Sequence, residues 1–158
     1  MNILAMQSSG DQTSVSVMLD EEINSFSLTH ARKDRPDWDM FLSNVGFKRD
    51  FELKDIDLFA FGNSQNSYTA TRTIASYMKG IAVALGKPLI VIDENSNDEF
   101  QADVVVKLAK EKFLSAGSDA KAFDPNFANP TYSEDINFKK LNESHFFKSS
   151  TWVNTAVN

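Results

Sequence analysis

The chain has 158 residues, is 42% apolar and 24% charged, carries a formal net charge of −6 and contains no cysteine. That length predicts one domain or two small lobes, and the apolar share excludes disorder throughout. The missing cysteines exclude disulfides, thiolate nucleophiles and Cys-held metals, and with no basic run longer than Lys139-Lys140 the chain lacks the clustered cations of a non-specific nucleic-acid binder.

The opening MNILAMQSSG has no positive region and too short an apolar run for a signal peptide, and no stretch approaches the ~20 apolar residues of a membrane span. A cytoplasmic protein is the expectation. Residues 2–7 form a short apolar run, and Ser8-Ser9-Gly10-Asp11 is a turn cluster. In 13–19, Val15, Val17 and Leu19 alternate with Ser14, Ser16 and Met18, the period of a half-buried strand. Asp20-Glu21-Glu22 turns the chain, and Ile23 to Leu28 returns it, which completes a three-strand meander. After Pro36 the apolar spacing changes to Trp38, Phe41, Leu42 and Val45, one face of a helix of about three turns. Pro36 suits its first turn, Asp37 and Asp39 its dipole, and Gly46 its end.

Residues 57–62, DLFAFG, form a nearly continuous apolar strand, as expected when both faces are covered. A helix from Ser67 to Leu85 follows, ended by Gly86, and Lys87-Pro88 leads into the strand LIVI, ending at Asp93. Strand, helix, strand predicts a parallel crossover. Residues 1–93 therefore read β-β-β-α-β-α-β, a mixed sheet carrying helices. The polar break ENSNDE, residues 94–99, marks the best lobe boundary. Beyond it, a helix from Phe100 to Leu114 carries Ala102, Val105, Val106, Ala109 and Phe113 on one stripe; residues 115–135 read as irregular, and Ile136 to Leu141 as a short strand. The predicted units are 1–95 and a shortened C-terminal lobe with its tail over 100–158.

Several of these segments together resemble the TsaB family, also called YeaZ. MNILAM is similar to its first strand, with Gln7-Ser8-Ser9 where the family commonly has Asp-Thr-Ser; Val15-Ser16-Val17 matches its second strand, and His30-Ala31-Arg32 resembles a His-Ser-Arg before its first helix. DIDLFAFG resembles the strand leading into the signature Gly-Pro-Gly-Ser-Phe-Thr-Gly-Leu-Arg-Ile-Gly. Ser64-Gln65-Asn66 replaces Gly-Pro-Gly, Ser67 and Thr69 are kept, Tyr68 stands for Phe and Ala70 for Gly, and Arg72 matches Arg. Lys79-Gly80 and Leu85-Gly86-Lys87-Pro88-Leu89 continue the match, and Ala128 to Leu141 resembles a later Ala-x-Pro-x-Tyr-Leu-Arg segment and its Trp-Lys-Lys-Leu. The resemblance implies an actin-, Hsp70- and hexokinase-like (ribonuclease H-like) α/β fold with a reduced second lobe. It also implies a non-catalytic subunit of bacterial tRNA threonylcarbamoyladenosine synthesis, pairing through helices with a catalytic TsaD-like partner or with a second copy.

The candidate sites follow. The loop Ser64, Gln65, Asn66, Ser67, Tyr68 and Thr69 stands where a phosphate cradle would be, but such a cradle needs glycine for close backbone approach, and none occurs from Asn63 to Lys79. It reads as a vestigial loop with Ser67 as a helix cap, and no cofactor is expected. Gln7 is a poor ligand for a hard cation. His30 and His145 form no HxxxH pair, so no metal site is expected, and each reads as a surface or capping histidine. In the helix 67–85, Ile74, Met78 and Ile81 are expected to face the sheet. Ala70, Arg72, Thr73 and Tyr77, with Trp38 and Phe41 of the preceding helix, are the candidate partner-binding residues. Burial within one chain is the competing reading of that surface, and Tyr77→Asp is expected to abolish assembly while leaving the fold intact. A nucleotide-dependent ATPase or phosphotransferase of the same fold, and a homodimeric relic without a partner, are the alternative functions. The aromatic tail around Phe146, Phe147 and Trp152 covers the shortened lobe or mediates packing.

Overall fold

The computed structural model describes residues 1–64, 67–94 and 100–130. Strands β1 (Ile3–Ser8), β2 (Gln12–Leu19) and β3 (Glu22–Thr29) form the meander, followed by helix α1 (Trp38–Ser43), strand β4 (Leu58–Asn63), helix α2 (Tyr68–Leu85), strand β5 (Leu89–Asp93) and helix α3 (Ala102–Ser115). The strands make one mixed sheet in the order β3-β2-β1-β4-β5. The meander is antiparallel, and β4 and β5 run parallel to β1.

The alternation read from the sequence divides the sheet into two apolar faces. Leu4, Met6, Val15, Val17, Phe59, Phe61 and Leu89 join Phe41, Leu42, Ile74, Met78 and Ala82 of α1 and α2 in one core. Ile3, Ala5, Met18, Leu58, Ala60, Ile90 and Ile92 join Phe100, Val105, Val106, Ala109 and Phe113 on the other side. Residues 100–113 were expected in a second lobe; they instead complete the sandwich over β1, β2, β4 and β5, because bare apolar positions on that face require a cover. Ala102 N–H donates to Ser14 Oγ at 2.9 Å and ties the start of α3 to β2.

Helix α2 begins and ends where its capping residues dictate. Ser67 is its N-cap, accepting from Ala70 N–H at 3.2 Å, and Gly86 its C-cap in the left-handed region at φ 67°. Helix α1 is shorter than predicted. Asp37, not a residue inside the first turn, is the N-cap and accepts from Met40 N–H at 3.2 Å, so Pro36 lies outside. The helix closes at Asn44, and Val45 is buried just beyond it.

Past α3, residues 116–130 contain two 3-10 turns, Ala120–Phe123 and Pro125–Phe127, and lead from one sheet face to the other. Phe123 packs on Phe113 with ring centroids 6.0 Å apart, while Ala128 is buried in the α2-side core and Lys79 Nζ donates to Asn129 Oδ1 at 2.9 Å. The strand predicted at 136–141, the aromatic tail and His145 lie outside the described residues.

Candidate functional site

Two surfaces meet around the N-terminal half of α2. The first is a cleft of about 830 Å³ between the β1–β2 turn, the β3–α1 loop and the start of α2. Ser8, Gly10, Thr13, His30, Arg32, Lys33, Arg35, Trp38, Ser67, Tyr68 and Thr69 are among its lining residues. Sheet register builds its floor, for Ser8 stands opposite Thr13 on the β1–β2 hairpin. Their hydroxyls are 2.9 Å apart, and Thr13 Oγ1 is 2.7 Å from His30 Nε2.

The direction of this chain follows from its ends. His30 Nδ1 lies 2.8 Å from the Ala31 carbonyl, which only accepts, so Nδ1 carries a proton. In the neutral ring Nε2 then accepts from the Thr13 hydroxyl, which leaves Thr13 oxygen to accept from Ser8 O–H. Gly10 N–H donates to Ser8 Oγ at 3.2 Å. Ser8 and Thr13 are 4% and 1% exposed, so the network satisfies groups that burial would otherwise leave costly. Gly10, at φ +100°, lets the rim close over it: a Cβ here would fall 2.6 Å from Arg32 Nη1 and 3.0 Å from Ser67 Oγ.

The second surface is the outer side of α2, where Thr69, Arg72, Thr73, Ser76, Gly80, Val83 and Ala84 are exposed. Arg72 lies over the Tyr68 ring, 5.8 Å from its centroid. Ala70 is half-buried. Phe41, put forward for the interface, is 2% exposed and packs edge-on against Phe26 at 5.4 Å, so it is a core residue. Trp38 and Tyr77 are stacked at 4.5 Å with an interplanar angle of 13°, which spends much of both rings on holding α1 to α2. Burial, with the Asp39 carboxylate adding to it, raises the Tyr77 phenol above its usual pKa. Tyr77→Asp would place a charge in this stack, so that variant should loosen the docking of α1 rather than leave the fold intact.

Of the predicted loop residues, Ser64, Ser67, Tyr68 and Thr69 are placed and Gln65 and Asn66 lie outside the described residues. Ser64 is buried, and its carbonyl accepts from Thr71 Oγ1 at 3.3 Å. Gln7 is 2% exposed on the α3 side of the sheet, beside Gly62 and Phe100. Isolated in sequence, His30 is not isolated in space; sequence reasoning missed its partner Thr13, and the one available signal was the hairpin register that sets Thr13 opposite Ser8 and the end of β3 beside β2. Among the described residues no group of acidic and imidazole side chains could hold a metal, and no helix is long and apolar enough to cross a membrane.

No family model and no curated protein matches the chain. Solved structures do. YeaZ from Pseudomonas aeruginosa is similar with a TM-score of 0.55 and 19% identity, over 73% of this chain and 50% of that one. The structure described as an uncharacterized protein with similarity to peptidase YeaZ from Pseudomonas aeruginosa gives a TM-score of 0.54 and 20% identity, over 59% of this chain and 43% of that one. The chain thus spans half or less of the length of these structures. The likeness is one of fold, carried by this chain's α/β architecture with its mixed five-stranded sheet.

Proposed function

We propose that the chain is a TsaB-like accessory subunit that supports threonylcarbamoyl transfer to tRNA adenosine by binding a TsaD-like catalytic partner, and that it contributes no nucleophile, base or metal ligand to that reaction. On this reading the sheet order and helix placement are those of the first lobe of an actin-like fold. The observation that carries it is the outer face of α2, in a chain whose fold is similar to that of YeaZ. Thr69, Thr73, Ser76, Gly80 and Ala84 keep this face flat, which allows a partner helix to approach closely, and Arg72 and Val83 flank it with charge and apolar area. Arg72 and Thr73 stay interface residues in this proposal with Ala70 at their margin, while Trp38 and Tyr77 position the surface from beneath.

The test mixes the chain with the TsaD-type protein of the same organism and measures mass by size-exclusion chromatography with light scattering. Wild type should form a stable mixed complex. The double variant Arg72→Glu, Ser76→Trp should lose it by at least about tenfold in affinity with an unchanged melting temperature, because both positions are exposed. A homodimer that ignores the partner would favour the relic reading on the same face, and a monomer in both experiments would end the accessory-subunit reading.

A further inference from the structure

The cleft has features the accessory role does not use. Its rim carries Arg32, Lys33 and Arg35 within one short loop of a chain whose net charge is −6. All three are exposed, and none of them takes part in the Lys110–Glu21 ion pair, which lies elsewhere on the chain at 3.4 Å. The nearest acid in the loop, Asp34, has its carboxylate accepting from Ala31 N–H at 3.1 Å. The Arg32 guanidinium stands over Gly10, close to the Ser67 hydroxyl. Below it lies the Ser8–Thr13–His30 chain, a row of hydroxyls ending on an imidazole.

We propose that this cleft binds a compact oxyanion of the sulfate or phosphomonoester class, and that protonation of His30 strengthens the binding by reversing the Ser8–Thr13–His30 hydrogen-bond chain. Charged guanidinium and ammonium donors around a recess select a small anion, and Arg32 offers it a planar fork. When His30 gains its second proton, Nε2–H becomes a donor to Thr13 oxygen. Thr13 O–H then turns to donate to Ser8 oxygen, and Ser8 O–H, no longer engaged by Thr13, is released towards the cleft. The anion gains a donor and a nearby positive charge, and in return it favours the imidazolium. The ionisable groups that share the cleft with His30 are Arg32, Lys33, Asp34, Arg35 and Tyr68, and Asp11 adjoins through its carbonyl, which accepts from His30 N–H at 2.8 Å. A bound anion and a proton on His30 attract each other across the cleft, so binding of the two is coupled.

Sulfate is the probe, since its charge does not change between pH 5.5 and pH 8. Titration of the full chain, followed by the amide shifts of Gly10 and Thr13 and by calorimetry, should show saturable binding that tightens several-fold as pH falls across that range. Arg32→Gln should weaken binding about tenfold at every pH. His30→Gln should flatten the pH dependence, while His145→Gln, which removes the other histidine, should leave it intact. Should His30→Gln fail to fold, the imidazole nitrogen shifts of wild type serve instead, since sulfate added near pH 7 should drive protonation of Nε2. Inorganic phosphate and glycerol 3-phosphate, compared at one pH, distinguish a free anion from an ester: tighter binding of the ester assigns the Trp38 and Tyr68 walls to its organic part. Absence of saturable binding, or binding indifferent to Arg32→Gln, overturns the site as adventitious binding only. A pH slope that survives in His30→Gln, or nitrogen shifts unmoved by sulfate, overturns the coupling. None of these measurements requires the partner, so their failure would leave the accessory-subunit reading standing.

Discussion

Buried hydroxyls carry a cost unless each has a partner, and Thr13 serves two at once. It takes the proton of Ser8 and gives its own to His30. Thr13→Val keeps the shape of the side chain and removes both bonds, so it should destabilise the chain by about 1–3 kcal/mol, measured by urea unfolding. Tyr77 gives a second prediction with a defined sign. Its folded pKa is raised, mainly by burial, so the neutral phenol is the form that the fold favours. The associated stability is fully present below about pH 10, the unfolded value, and is lost as pH rises through the higher folded value. Tyr77→Phe should therefore reduce the alkaline loss of stability, read from melting temperatures between about pH 9 and pH 11. Neither role is visible in one dimension. Thr13 and His30 are 17 residues apart, and which side of α2 Tyr77 serves depends on where the short α1 docks.

At the scale of elements the sequence was more informative, because element ends are set by local chemistry. Ser67 and Gly86 bound α2 as their cap chemistry implies, and the alternation of β2 and the apolar run of β4 both form strands. Two glycines of α2 make a paired prediction. Gly80 lies in the helix with open space where a Cβ would stand, so Gly80→Ala should stabilise by about 0.5–1 kcal/mol. Gly86 sits at φ +67°, so Gly86→Ala should destabilise by about 1 kcal/mol. Thermal unfolding of the two variants should move in opposite directions. What periodicity could not give was the length of α1, where Asp37 outcompeted Pro36 for the start of the helix, or the burial of Phe41, since a face that is apolar in sequence does not say which neighbour covers it.

For the whole molecule, the polar stretch before α3 resembled a boundary, and composition alone could not reveal that the next helix returns to the same sheet. The strands supplied a hint: β1 and β4 are apolar on both faces, which demands two covering layers, and α1 with α2 provide one. Truncation after Glu94 should therefore remove α3 from the face lined by Ile3, Ala5, Leu58 and Ile90 and leave a chain without cooperative unfolding, detected as a broad melt with bound hydrophobic dye. A sharp transition in that fragment would restore the two-lobe view.

The central strand also sets a schedule. β1 acquires its second neighbour only when β4 is made, and the pair is tied at its base by Asn2 N–H donating to Asp57 Oδ2 across 55 residues. During synthesis at roughly 5–20 residues per second, the meander emerges with one side of β1 unpaired for a period on the order of seconds. That edge, ILAMQS, is an apolar segment free of charge and proline, the composition that recruits like strands from other chains. The nascent chain is thus most exposed to misassembly before its second half exists, and its yield in cells should respond to translation rate and to ribosome-bound chaperones more than the stability of the finished fold suggests.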